Sequence, residues 1–196
     1  MINNAVYGII AEDKSDVAML KVIIKRVAKT QSVSIKGKGY NGCGEMLRKG
    51  ATQLKAFKEL GCDRFIICYD ADRDSPSDRH NEALRKIVMP FGNTENCCIL
   101  VPIQEIEAWV LADLKSVTKV ISSWVPTKVY PSPESVNDPK EELEKLSRNA
   151  NKRPRYSHAI HNCKVAEHLD LSIVKAKCDS FLPLENLVLN GVGNIT

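Results

Sequence analysis

The sequence predicts an α/β fold, a mostly parallel sheet covered by helices and followed by a helical extension. Three observations carry this. Residues 6–11, 65–69 and 97–101 are short apolar runs without period-two alternation, the pattern of strands buried on both faces. Each is followed by a segment with apolar residues at helical spacing. Up to about residue 115 strand and helix alternate at short intervals, which implies right-handed crossovers between parallel strands.

The first run, VYGIIA, ends at Glu12, and Ser15 or Asp16 is expected to cap a helix that places Val17, Leu20, Ile24 and Val27 on one side. Residues 32–35 alternate briefly and form a candidate second strand. The stretch GKGYNGCGEM then supplies four glycines, which permit tight turns. It matches neither G-x-x-x-x-G-K-[ST] nor G-x-G-x-x-G, so no nucleotide-binding loop is assigned. Residues 45–60 read as a helix with Leu47, Ala51, Leu54 and Phe57 on one side and Gly61 as its stop.

After the clearest strand, at 65–69, the charged loop DADRDSPSDRHNEA leads into a helix through Leu84, Ile87 and Val88. The strand at 97–101 closes at Pro102, and Ile103, Ile106 and Val110 mark the apolar side of a helix containing Glu107 and Trp109. Pro126, Pro131 and Pro133 interrupt the next stretch. A charged helix at 139–146 and two or three short helices between 156 and 189 complete the chain. The division expected is an α/β core over residues 1–124 and a loop and helical extension packed on it over 125–196.

Lys and Arg total 28 against 24 Asp and Glu, a formal net charge of +4 that tolerates a polyanionic partner without demanding one. The start MINNAVYGII lacks the features of a signal peptide, and no run approaches the roughly 20 apolar residues of a membrane span. The expectation is a cytoplasmic protein with no membrane partner. Seven cysteines, an odd number without a C-x-x-C pair, read as reduced, buried hydrophobes.

In an open parallel sheet, functional groups collect beyond the carboxyl ends of the strands. Glu12 follows the first strand, Asp70 ends the central one, and Asp72 lies two residues further on. Near-extended backbone would turn Asp70 and Asp72 to the same side. Three carboxylates gathered this way repel one another and raise one another's pKa. A hard cation relieves that repulsion, which points to Mg2+, with Mn2+ as an alternative. Asp74 and Asp78 read better as solvated loop residues. Glu107 could reach the cation from a helix start or pair with Arg73 or Arg79.

Arg73 and Arg79 flank this loop and could hold phosphate, and Lys36 and Lys38 beyond the second strand could face the same cleft. Lys152, Arg153 and Arg155, with Tyr156 for stacking, could contact a nucleic-acid backbone or could form a solvated loop. His80 is a candidate for proton transfer. His158, His161 and Cys163 lack a fourth ligand for zinc.

The segments GIIAEDKSD and FIICYDADRD resemble the Toprim domain of topoisomerases, primases and overcoming-lysogenization-defect type nucleases. Together with PIQEIEAWVLAD, in which Glu107, Trp109, Leu111 and Asp113 fit an E-x-W-x-L-x-D pattern, and with YSHAIHNC and CDSFLPLENL in the tail, they resemble the DUF4276 family. Those small Toprim-like proteins are often encoded near phage-defence genes. The resemblance implies a Toprim/Rossmann-like sheet in which Glu12 is a metal ligand or general acid/base and Asp70 and Asp72 hold magnesium.

The activity implied is metal-dependent hydrolysis of phosphodiesters in DNA or RNA, as a phage-defence effector with an ATPase or sensor protein as partner. The chain is too short for topoisomerase or primase accessories. Two other classes stay open: a non-enzymatic Toprim-fold adaptor that binds a partner protein, and a small-nucleotide phosphatase or nucleotidyl transferase. A homodimer would extend the modest basic surface.

Overall fold

The computed structural model describes residues 5–148 and 154–195. Strands β1 (Val6–Ala11), β2 (Ser34–Gly39), β3 (Arg64–Cys68) and β4 (Cys97–Leu100) form one parallel sheet in the order β2-β1-β3-β4. Helix α1 (Lys14–Val27) joins β1 to β2, and α2 (Cys43–Glu59) joins β2 to β3. Helix α3 (Pro76–Ala83) continues through a π turn, Leu84–Val88, into α4 (Met89–Phe91) and so to β4. The π turn has a local cause. Pro90 cannot donate a backbone hydrogen bond and its ring crowds the carbonyl four residues back, and the helix widens so that the Met89 amide bonds the Leu84 carbonyl.

Both sheet faces are covered, as the unalternating strands predict. Tyr7, Ile9 and Ala11 pack on the α1 side with Ile66 and Leu100, while Ile10, Phe65 and Ile67 pack against Leu54, Phe57 and Ile87 on the other. Each such aliphatic side chain, removed wholly from water, contributes about 1.5–3 kcal/mol.

The remaining helices are α5 (Ala108–Ala112), α6 (Pro139–Arg148), α7 (His158–Ala166), α8 (Leu171–Lys177) and α9 (Leu182–Asn190). Their buried residues Val110, Leu143, Val165, Val174 and Leu187 join the same hydrophobic cluster as α1. Trp109 is fully buried there, and its indole N–H donates to Ser180 Oγ over 2.9 Å. The helical extension therefore shares the core of the sheet. Among the described residues no helix is long and apolar enough to cross a membrane.

Three local expectations need correction. The cap of α1 is Asp13, not Ser15 or Asp16: its Oδ1 accepts the Ser15 and Asp16 amides at 2.5 and 3.1 Å, and Asp16 answers from the third helical position through the Asp13 amide. The second strand runs over Ser34–Gly39, because the six-residue ladder with β1 outweighs the low strand propensity of its two glycines. The helix expected from Ile103 starts at Ala108, since residues 102 and 104 instead accept backbone bonds from Ala71 and Asp72.

Register decides where the functional residues emerge. Ala11 pairs with Gly39 and Cys68, and Cys68 with Leu100, so all four strands end in one row. Only a glycine fits at the end of β2. A Cβ on Gly39 would lie 2.4 Å from the backbone carbonyl of Asp13, so the bare glycine lets the Glu12–Asp13 turn fold down against β2. At the opposite edge, Asn194 and Gly193 lie along β4 and cover it.

Candidate functional site

A cleft of about 410 Å³ opens beyond this row of strand ends, lined by Glu12, Asp13, Asp16, Tyr40, Asn41, Gly42, Asp70, Asp72, Glu105 and Lys140. Glu12 leaves β1 directly, and its Oε1 accepts the Asp70 amide over 3.1 Å, which ties the end of β1 to the loop after β3. The loop continues the sheet's direction for a few residues, with the amides of Tyr69, Ala71 and Asp72 donating to the carbonyls of Leu100, Pro102 and Gln104.

The three carboxylates singled out from sequence, on Glu12, Asp70 and Asp72, thus line one cleft. The backbone carrying them is not extended throughout. Asp72 and Arg73 take φ of 50° and 71°, a left-handed pair that turns the chain sharply. Neither is glycine, so the turn stores strain at the cleft mouth, held in place by the bond from the Asp72 amide to Gln104.

Burial sets the electrostatics. Asp70 Oδ1 is buried with no hydrogen-bond partner, and desolvation, reinforced by Asp16, Glu107 and Glu12, pushes its carboxyl far above the usual range. Asp16, 4 % exposed, is pushed up to about 8 by burial and by its neighbours Asp13 and Glu107. Burial raises Glu12 as well, against the opposing Asp70 amide. Asp13 goes the other way: despite partial burial, the Ser15 hydroxyl and the amides of its helix cap hold it below the ordinary value.

Glu107 is wholly buried at the start of α5. Its Oε1 accepts Asn162 Nδ2 over 2.9 Å, Asn162 Oδ1 in turn accepts the Tyr156 hydroxyl over 2.5 Å, and Oε2 has no partner. Facing it is Lys140, whose ammonium stands 4.0 Å from Glu107 Oε1 and 3.5 Å from Glu105 Oε1. Burial works against that charge, but Glu107, Glu105, Asp70 and Asp16 outweigh it and raise the lysine pKa.

The other sequence candidates are dispersed. Arg79 packs on the Tyr69 ring, bonds its hydroxyl and pairs with Asp74 at 2.8 Å, which keeps Asp74 off the cleft. Arg73 is exposed and pairs with Asp138 at 2.5 Å. Lys36 and Lys38 sit on the open edge strand, with Lys38 near the Tyr40 ring, and neither lines the cleft. Arg155 is exposed away from the cleft lining, while Lys152 and Arg153 lie outside the described residues. Tyr156 is buried against Trp124 and His161, which removes it as a stacking platform. His161 Nδ1 is engaged by the Ser157 amide. His80, part-buried on α3, does not line the cleft.

Sequence reasoning missed Asp13, Asp16 and Lys140. The first two belong to the AEDKSD turn, where the capping-box spacing was the available signal. Lys140 had none, since PKEELEKL reads as an ordinary solvated helix.

The profile of a domain of unknown function, DUF4276, matches residues 11–188. The chain belongs to the DUF4276 family. The matched span takes in every cleft residue, from Glu12 to Lys140, as well as the helices that support them. No curated protein and no solved structure matches the chain. For this DUF4276 member the E-x-W-x-L-x-D segment is the joint between sheet and extension. Glu107 faces Lys140 and Asn162, Trp109 bonds Ser180, and Asp113 Oδ2 accepts the Asp170 amide over 2.8 Å.

Proposed function

We propose that this protein is a divalent-cation-dependent hydrolase of nucleic-acid phosphodiesters, built on a Toprim-like sheet. The observation that carries the reading is the cleft at the strand ends, where Asp70 keeps a buried carboxylate oxygen without a partner among six lining acids. Desolvated carboxylates gathered at such a place cost stability unless a cation joins them.

The donor set fits a hard ion. It is all oxygen, and Glu12, Asp70 and Asp72 line the same cleft. Among the described residues no three His, Cys, Asp or Glu side chains are already drawn close enough to hold an ion. Binding Mg2+ or Mn2+ therefore requires the side chains of Glu12, Asp70 and Asp72 to draw together. A bound ion would orient a phosphate, offset its charge and lower the pKa of water. Glu12, raised in pKa by burial and fixed by the Asp70 amide, is suited to pass a proton beside that phosphate.

The charge distribution supports a polyanionic substrate. Six acids and Lys140 line the cleft, which among the described residues leaves 18 acidic and 25 basic residues elsewhere, a balance of +7. A basic body around an acidic cleft favours a nucleic-acid backbone that approaches only where a cation bridges it. A role as a phage-defence effector with an ATPase or sensor partner rests on the family resemblance alone. The adaptor reading has one observation in its favour, the Lys140 ammonium, which partly neutralises the cleft by itself.

The test compares the wild-type chain with the Asp70→Asn, Asp72→Asn double variant on labelled DNA and RNA, with Mg2+, Mn2+ or a chelator. Cleavage that needs the metal and disappears in the variant is expected. Folded wild-type protein that binds neither ion and cuts neither polymer would leave the adaptor reading standing.

A further inference from the structure

The acids of the cleft already hold one cation among them. Glu12 is tied to the Asp70 amide, while Glu105 and Glu107 face the Lys140 ammonium at 3.5 and 4.0 Å. Asp70 is in electrostatic reach of Asp16, Glu107, Glu12 and Lys140. Two-metal phosphodiesterase sites use two cations about 3.5–4 Å apart.

We propose that Lys140 is a tethered cation standing in for a second divalent ion, so that the cleft takes one divalent cation beside it. The inference rests on the reading of the cleft as a divalent-cation site and assigns its second position to a side chain.

Three features around Lys140 support it. Glu107 is 0 % exposed and one of its oxygens has no hydrogen-bond partner, so the carboxylate needs a positive charge nearby to be tolerated as an ion. Lys140 supplies that charge from another element, α6, whose start is anchored to the same loop because the Lys140 amide donates to Glu105 Oε2 over 2.9 Å. The Asn162 side-chain amide, itself held by the buried Tyr156 hydroxyl, donates to the Glu107 oxygen that faces the lysine and so fixes that carboxylate in place. An ammonium is a compact point charge with three donors, able to face two or three carboxylates at once as a metal ion would.

The test counts ions. Mn2+ is titrated into the full chain and bound ion is measured by calorimetry and by the loss of the free-ion electron-spin-resonance signal. Wild type is expected to bind one Mn2+ and Lys140→Gln two, while Lys140→Arg, which keeps the charge, stays at one. Two ions in wild type, or one in folded Lys140→Gln, would overturn the proposal and leave the cation site intact. No ion in wild type overturns both, and marks the failure as that of the cation reading.

A second measurement needs no variant. The acetylation rate of Lys140, followed by mass spectrometry, is expected to stay slow with and without saturating Mg2+. Acceleration by Mg2+ would mean that ion and lysine compete for one place, and the proposal falls.

Discussion

Lys140 meets Glu105 twice: its backbone amide donates to Oε2 over 2.9 Å and its ammonium stands 3.5 Å from Oε1. The contact joins α6 of the extension to the loop after β4, and it brings the one basic side chain of the cleft lining among six acids. Removing the charge leaves those acids uncompensated. Lys140→Met is therefore expected to destabilise the chelator-treated protein by about 2 kcal/mol, less than a fully buried pair would lose, because the lysine is 29 % exposed. Urea unfolding in chelator checks this, and millimolar Mg2+ should recover more stability in the variant than in wild type.

The raised pKa of Asp16 makes stability depend on pH with a definite sign. The unfolded side chain titrates at 3.8 and the folded one at about 8, so between these values the native state holds a proton that the unfolded state has released. That contribution is complete below the unfolded pKa and is lost as pH rises through the folded one, at up to about 1.4 kcal/mol per pH unit. Metal-free protein should unfold at lower urea at about pH 8 than at about pH 5. Asp16→Asn keeps an oxygen for the Asp13 amide and should flatten this slope. A variant with the wild-type slope would assign the effect to other groups.

How much of this was legible in the sequence depends on the range of the interaction. Strands with both faces buried announce themselves as unbroken apolar runs, and the residue following a strand end is then known to lie at the sheet's edge, which is why Glu12 and Asp70 could be placed together. Arg79 carries the right chemistry for phosphate, yet Tyr69, Asp74 and Glu82 claim it, and only the i,i+3 pair with Glu82 follows a local pattern. Lys140 is the clearest case. Its inward turn is set by carboxylates about 35 to 130 positions away in the chain, a fact of tertiary packing on which helical periodicity is silent. The left-handed turn at Asp72 and Arg73 was equally hidden, because neither residue type demands a positive φ.

Asp70 should show the conflict between stability and function that a buried, unpaired carboxylate creates. Asp70→Asn replaces an ionisable group whose charged form burial disfavours while keeping the shape, and is expected to stabilise metal-free protein by about 1–2 kcal/mol. The same change should abolish the rise in melting temperature that Mg2+ gives wild type. Thermal melts with and without the ion decide it, and a destabilised Asn variant would mean that the carboxylate has a structural partner in solution.

Gly39 positions the acidic turn by lacking a side chain. A methyl group would have to push the Asp13 carbonyl and the Lys14 amide, both within 2.5 Å of it, away from the strand end. Gly39→Ala is expected to cost about 3 kcal/mol and to lower cation affinity along with it, since Glu12 and Asp13 move together. A urea series and a Mn2+ titration on the same preparation separate the two effects. Unchanged stability would show that the turn relaxes freely.

Asn194 acts as a one-residue strand for the exposed edge of β4. Its Oδ1 accepts the Ile99 amide over 2.9 Å, its Nδ2 donates to the Ile99 carbonyl over 2.8 Å, and its own amide donates to the Cys97 carbonyl over 3.3 Å. Asn194→Ala keeps the last bond and loses the first two, leaving a donor and an acceptor of Ile99 open on a sheet edge. The expected cost is about 1–2 kcal/mol, accompanied by concentration-dependent association, because an uncovered edge pairs with other chains. Urea midpoints and light scattering over a dilution series report the two consequences separately. A variant that loses stability but stays monodisperse would show that the neighbouring Gly193 backbone, packed directly on Cys97, is enough to block the edge.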